Sequence, residues 1–346
     1  MSNSSSSPTH SDDVEEFHIA DLIAFNPAED PDSLLGTRWL GRGGSCLLFG
    51  PAGAGKSSLR MHAAVTWAIG LPWFGIKPKE PLKSLIIQAE NDRGDEAEMF
   101  MGAVRQLGID PAELEGRVVI ERITGKVGAG FTSLLDKRLA IHSPHLVWID
   151  PLFSYAGEDL SLQKQASDFL RVYLDPILKK HRVAAILLHH AGKPPKGRAD
   201  RDGLDHAITY FGSVELAAYP RAMMCLYAIE AGGFALSATK RGKRAGLRDL
   251  EGNIVETIHL EHASTGIGWE QVEGPTEGGE VGGSAKKNRL DEYINNRLLY
   301  APKSKELASE SCDRIMQVMD LSTRRVRDYE KDFKDLLKKV KRFPFN

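Results

Sequence analysis

The sequence predicts an α/β fold: a mostly parallel sheet flanked by helices, a β-meander extension, and a small C-terminal all-α domain. Three observations predict it. From Cys46 to Leu188, short apolar runs alternate with helix-period segments, as parallel strands joined by crossover helices require. After Pro220 strand follows strand, the pattern of an antiparallel extension. A stretch rich in Gly and poor in apolar residues at 273–285 then reads as a flexible linker to a last helical domain.

The elements follow in order. Residues 1–15 read as a polar, disordered arm, and Phe17 to Trp39 as a lead-in that packs ahead of the core, opening a domain at 16–272. Strands are expected at Cys46 to Phe49, Leu85 to Gln88, Val118 to Ile123, Leu146 to Ile149 and Ala184 to Leu188. Helices are expected between them at Ser58 to Ile69, Asp95 to Leu107, Ser133 to Ile141 and Gln163 to His181. The extension comprises Arg221 to Ile229, Gly233 to Ala238 and a meander from Leu247 to Val272.

No apolar run approaches the roughly 20 residues that span a bilayer. The Ser-rich, acid-ending N-terminus lacks the pattern of a signal peptide, so a cytoplasmic protein without a membrane partner is expected. The three cysteines form no C-x-x-C pair and read as reduced thiols. The net charge of −2 hides an asymmetry: residues 286–346 carry 16 Lys and Arg against 10 Asp and Glu, leaving an acidic body. That basic domain suits either nucleic acid or a solvated helical surface. Within it, Ile315 to Tyr329 has a helix-turn-helix-like pattern that would put Arg324, Arg325 and Arg327 near the start of the second helix, the part that meets DNA. The turn lacks the usual glycine, and a small bundle for oligomer contacts competes equally.

The chemistry centres on Gly50-Pro51-Ala52-Gly53-Ala54-Gly55-Lys56-Ser57, a complete P-loop between a strand and a helix. Gly50, Gly53, Ala54, Gly55 and Ser58 offer backbone N–H groups to a triphosphate, Lys56 reaches the β- and γ-phosphates, and the Ser57 hydroxyl binds Mg²⁺. The helix adds its positive dipole end. Leu146 to Asp150 is an apolar strand closed by an acid, the Walker B form, with Asp150 as the second Mg²⁺ ligand. Glu90, just past the strand ending at Gln88, can lie beside the γ-phosphate and activate water, or be an exposed loop acid. His189 and His190 close another strand and point to opposite faces, so one faces the crevice. Lys193, Lys196, Arg198 and Arg201 lie in a Gly/Pro-punctuated loop that contacts a phosphodiester backbone or is merely solvated. Lys240 and Arg241 open a basic turn suited to a neighbour's γ-phosphate or to nucleic acid.

Leu35-Gly36, Arg42-Gly43-Gly44, the P-loop, Ala89-Glu90-Asn91, Trp148 to Leu152 and His189-His190 together resemble the RecA-like ATPases of the plasmid RepA type, relatives of the ring-forming replicative helicases. The resemblance spans about residues 15–272. It implies an ATP- and Mg²⁺-dependent motor, a homo-oligomer and specifically a hexamer, acting on single-stranded DNA, with duplex contacts open to the C-terminal domain. It also implies Glu90 as catalytic carboxylate, Asp150 as Walker B acid, His190 as γ-phosphate sensor and Arg241, flanked by Lys240, as the finger offered to the adjacent subunit. The loop from Lys193 to Arg201 would line a central channel. Two alternatives stand beside the helicase: an ATP-gated DNA-binding regulator, and a filament-forming recombination or repair ATPase.

Overall fold

The computed structural model describes residues 16–191, 212–229, 233–263 and 267–274, and in the C-terminal part residues 309–319 with isolated helical positions between 293 and 334. The expected arm at 1–15, the basic loop with Lys193, Lys196, Arg198 and Arg201, nearly all of the linker, and Arg324 and Arg325 lie outside the described residues.

A short helix α1 (Ile19–Ala24) and an antiparallel pair, β1 (Ser33–Leu35) and β2 (Leu40–Gly41), precede the core. The core runs β3 (Ser45–Gly50), α2 (Lys56–Ala68), β4 (Ser84–Gln88), α3 (Arg93–Leu107), β5 (Val118–Arg122), α4 (Gly128–His142), β6 (Leu146–Asp150), α5 (Phe153–Ala156), α6 (Gln163–Ser167), α7 (Asp175–Lys180) and β7 (Ala184–His190). It continues through β8 (Ala222–Ala228) into β9 (Phe234–Lys240), β10 (Thr257–His262) and β11 (Trp269–Val272). One nine-stranded sheet results, ordered β11-β10-β9-β8-β3-β7-β6-β4-β5. The six strands from β8 to β5 are mutually parallel, and β9 to β11 are antiparallel. The predicted class is therefore the observed one for the body of the chain.

Strand alternation divides the core into two layers. Cys46, Leu48, Ile86, Trp148 and Ile186 face α2 and α3, whereas Leu47, Phe49, Ile87, Val147 and Leu187 face α4 and the helical run from 163 to 180. Every residue of α2 except Ser57 is buried. The parallel strands underlie the helix, α3 packs along it, and Leu236, Ile258, Leu260 and Trp269 of the extension join the same buried cluster as Leu59, Ala63 and Trp67. The helix period over Ser58 to Ile69 and the placement after the P-loop both point to α2 in the sequence.

Three expectations need correction. The lead-in packs only from Asp30 onward; α1 buries no residue, and Phe17, Ile19, Leu22 and Ile23 are exposed. The helix expected at Gln163 to His181 is widened to π-helical geometry over Asp168–Leu174. Pro176 is the cause that local chemistry offers, since it has no N–H and clashes with the preceding turn; the Asp175 N–H bonds Leu170 O, five residues back. Finally, α3 starts at Arg93, before the expected Asp95, because Asp92 and Asp95 form a reciprocal capping box.

In the C-terminal part, Tyr293, Ile315, Met319, Val326, Tyr329 and Phe333 form a separate apolar cluster. Buried Glu330 accepts from the Tyr293 hydroxyl at 2.9 Å and from Arg297 Nε at 3.0 Å. Arg327 is helical and exposed.

His62 in α2 is buried, edge-on to Phe74, with neither ring nitrogen hydrogen-bonded among the described residues. Burial pushes its pKa down to about 4. A histidine so depressed takes up its proton preferentially in the unfolded chain, so stability is full above about pH 6.5 and falls as the pH drops toward 4. The expected loss from this group is about 2 kcal/mol at pH 5. Urea unfolding of wild type and His62→Leu at pH 7.5 and 5 checks it: the acid loss should shrink by that amount in the variant.

Candidate nucleotide site

The loop from Gly50 to Ser57 joins β3 to α2 at the carboxyl end of the parallel strands. Gly50 has φ of +155°, and a Cβ there would stand 2.0 Å from Leu226 O of the adjacent β8. Gly55 has φ of +85°, and a Cβ there would stand 2.6 Å from the Trp269 ring. The loop is thus gripped between a strand on one side and the β11 indole on the other, and glycine is the residue that fits both places. Trp269 Nε1 donates to Ser58 Oγ at 3.0 Å, and Ser58 Oγ donates to Gly55 O at 2.8 Å. The Ser58 hydroxyl therefore holds the loop, leaving only its backbone to a ligand.

Lys56 is buried, and its Nζ donates to Gly50 O at 2.9 Å and Pro51 O at 2.7 Å, tying the two ends of the loop together. Burial lowers its pKa to about 8, against the opposing pull of Asp150, Cys225 and Glu90. A cation in that condition gains by meeting a triphosphate. Gly53, Gly55, Lys56, Ser57, Glu90 and His190 line a cleft of about 420 Å³, which also takes in Ile267 from the β10–β11 connection. Glu90 is exposed at its rim; burial and Asp150 raise the carboxyl above the usual carboxylate range while Lys56 lowers it. His190 packs against Phe153, and burial followed by Lys56 holds its imidazole below the usual range. His189 is the buried partner, so the histidine that faces the cleft is the second.

Asp150 closes β6 and is 5% exposed, and its Oδ2 has no hydrogen-bond partner among the described residues. A buried carboxylate oxygen in that state, beside the Ser57 and Lys56 loop, fits a hydrated divalent cation. Mg²⁺ bound there with a nucleotide would neutralise charge developing on the transferred phosphoryl group. Ser57 and Asp150 are the residues that would hold it.

The sequence reading missed the frame around these groups. Gln88 and Asn91 exchange hydrogen bonds of 3.0 and 2.9 Å, and Ala89 N donates to Asp150 O, so the Glu90 corner is bound to the end of β6. Gln106 of α3 accepts from Trp269 N at 2.8 Å and also donates to Trp269 O, anchoring the indole. An aromatic some two hundred residues beyond the loop gives no local signal of this role.

Lys240 and Arg241 lie elsewhere. β9 is antiparallel to β8, with Lys240 opposite Met223, and Arg221 N bonds Ser45 O; the basic turn is therefore at the end of the sheet where β3 begins, whereas the P-loop follows its other end. Lys240 Nζ donates to the carbonyls of Ala217, Ala218 and Pro220 at 2.9, 3.2 and 2.6 Å, capping the helical turn Val214–Ala218. That differs from the expected phosphate contact: the ammonium is committed to its own chain. Arg241 remains exposed in a cleft with Arg38, Arg221 and Arg244. Partial burial, then Arg221, Arg244 and Arg38, lower its pKa.

A family described as AAA domain matches residues 13–196 of this chain, more than half its length. No curated protein matches it. No helix among the described residues is long and apolar enough to cross a membrane.

Lys56→Ala should weaken ATP binding by about 10- to 100-fold, the cost of a charge-assisted phosphate contact, measured by calorimetry. Glu90→Gln should keep affinity within about threefold and lose about 100-fold or more in turnover; normal turnover would remove Glu90 as the base.

Proposed function

The chain belongs to the AAA domain family of P-loop ATPases, which bind ATP with Mg²⁺, and from that membership we propose a RecA-like motor of the plasmid RepA type. In this reading it assembles into a ring, a hexamer, and hydrolyses ATP at subunit interfaces to move along or unwind DNA during replication of a plasmid, phage or mobile element.

The observation that carries the reading is the separation of the two charged clusters. Arg241 stands at the opposite end of the sheet from Lys56, so it cannot reach its own triphosphate and is disposed to serve another copy's. Among the described residues Arg221, Arg241 and Arg244 have no carboxylate within ion-pair distance, while Arg38 pairs with Asp30 at 2.6 Å. Guanidinium groups without ion-pair partners, which outnumber Asp30 and Asp32 in this cleft, favour an anion from outside the subunit. Lys56 and the cation would balance phosphate charge, Glu90 would orient water, and His190 would touch the γ-phosphate.

The DNA contacts rest on the resemblance, on the basic residues of the loop from Lys193 to Arg201, and on the charge of residues 286–346. The separate apolar cluster of the C-terminal helices, with Arg327 exposed beside it, favours a second reading in which that domain binds duplex DNA and the ATPase core acts as its switch.

Hydrolysis measured across a titration of single-stranded DNA tests the motor: stimulation that fades steeply with salt is expected, and a rate indifferent to DNA favours the switch. Mixing Arg241→Ala subunits with Lys56→Ala subunits, each inactive alone, tests the interface. Activity should return on mixing, because a Lys56→Ala subunit still offers its arginine, worth about 10³-fold or more, to the intact P-loop of an Arg241→Ala neighbour; no recovery would count against a residue acting in trans.

A further inference from the structure

Arg60 lies one turn into α2, fully buried. Its Nη2 donates to both oxygens of Glu96, at 2.7 and 2.8 Å, and its Nε donates to Ser57 O at 3.3 Å. Its remaining nitrogen, Nη1, stands 3.4 Å from Asp150 Oδ2. That contact is an ion pair in distance only: neither Arg60 Nη1 nor Asp150 Oδ2 makes a hydrogen bond among the described residues. Glu96 Oε1 also accepts from Asn91 Nδ2 at 2.9 Å. One guanidinium thus touches the P-loop backbone, the Walker B carboxylate and, through Glu96, the residue that follows Glu90.

A buried ion pair made without hydrogen-bond geometry gives back little of what removing both charges from water costs. The Arg60–Glu96 fork that joins α2 to α3 runs through Nη2 alone and does not use Nη1. The Asp150 oxygen is balanced in charge and unsatisfied in geometry, so a hydrated divalent cation, which brings its own O–H donors, would compete with Nη1 for it. The guanidinium, held by Glu96, would then stand near the cation as a like charge.

We propose that Arg60 is a positioning residue that competes with Mg²⁺ for Asp150 and so sets the cation concentration at which the nucleotide site loads, with Glu96 as the counterweight that draws Arg60 toward the Asn91–Glu90 corner. The proposal rests on the reading of this cleft as a Mg-nucleotide site. Weakening the counterweight strengthens the hold of Arg60 on Asp150; removing the fork weakens it. The two changes act in opposite directions, which loss of a structural ion pair would not produce.

The test is the Mg²⁺ midpoint for binding a fluorescent, non-hydrolysable ATP analogue to the full chain, with thermal unfolding read in parallel. Glu96→Gln should raise the midpoint and Arg60→Lys should lower it, each by about 3- to 10-fold, while both lower the melting temperature. The double variant Arg60→Met with Glu96→Gln removes both charges together and should fold where a single variant fails, with a midpoint below that of wild type. Midpoints unchanged in the face of lowered melting temperatures, or shifted in the same direction by both single variants, would overturn the competition. Binding by wild type without any dependence on Mg²⁺ would instead overturn the Mg-nucleotide reading itself and the proposal with it.

Discussion

Enclosure of α2 is the constraint on which the rest of the structure depends. The helix that carries the phosphate loop packs against the parallel strands and α3, and its N-terminal end meets Trp269 of the extension. With the helix held in this way, the loop at its start is confined by Leu226 O against Gly50 and by the indole against Gly55. Anion binding by backbone N–H groups depends on such fixity, because donors that must be reoriented when the ligand arrives give back part of their stabilisation. The antiparallel strands are therefore a structural part of the nucleotide site even though they begin beyond Pro220.

The same enclosure governs the electrostatics. Removing Lys56, Arg60, Glu96 and Asp150 from water makes their mutual arrangement decisive, since each interaction is stronger and each missing partner costs more than at the surface. Lys56 and the Nη2 of Arg60 are hydrogen-bonded, whereas Asp150 Oδ2 and Arg60 Nη1 have no hydrogen-bond partner among the described residues. The unmet hydrogen-bonding demand of the network thus lies between Asp150 and Arg60, at the oxygen placed for a cation, whereas the Lys56 ammonium that ties the loop is bonded to two carbonyls.

Much of this was legible in the sequence because it is local. Strand, loop and helix around Gly50 to Ser57, the acid after Leu146 to Ile149 and the histidines after Leu188 are each written in a few adjacent residues, and β-periodicity brings Lys56, Glu90, Asp150 and His190 to the same end of the sheet. What stayed hidden depends on long-range contact. Nothing near Trp269 tells that it will meet Gly55, and nothing in Asn91 or Glu96 tells of Arg60. Arg60 did leave a sign: an arginine among Leu59, Met61, Ala63 and Ala64 in a helix without a polar face must be paired. Lys240 shows the converse error, since a cation beside Arg241 looks available until the carbonyls of 217, 218 and 220 come into place.

The two ends of the sheet impose opposite conditions on a lone subunit. At the carboxyl end of β3, Lys56 and Arg60 stand among Glu90, Glu96 and Asp150, and Asp95 and Glu98 also line the cleft, so carboxylates outnumber cations before a ligand binds. At the other end Arg221, Arg241 and Arg244 share a cleft with Asp30 and Asp32 but pair with neither, and partial burial, then repulsion from Arg221, Arg244 and Arg38, lowers the pKa of Arg241. A surface cluster of one sign is tolerated in water because salt screens it over about a Debye length. Placed against another copy's triphosphate, the same cluster would exchange repulsion for charge-assisted contacts, and its shielding from water would strengthen them. On the proposed assembly, nucleotide binding at one end and relief of repulsion at the other are then the same event seen from two subunits, which gives each site a reason to favour an occupied neighbour.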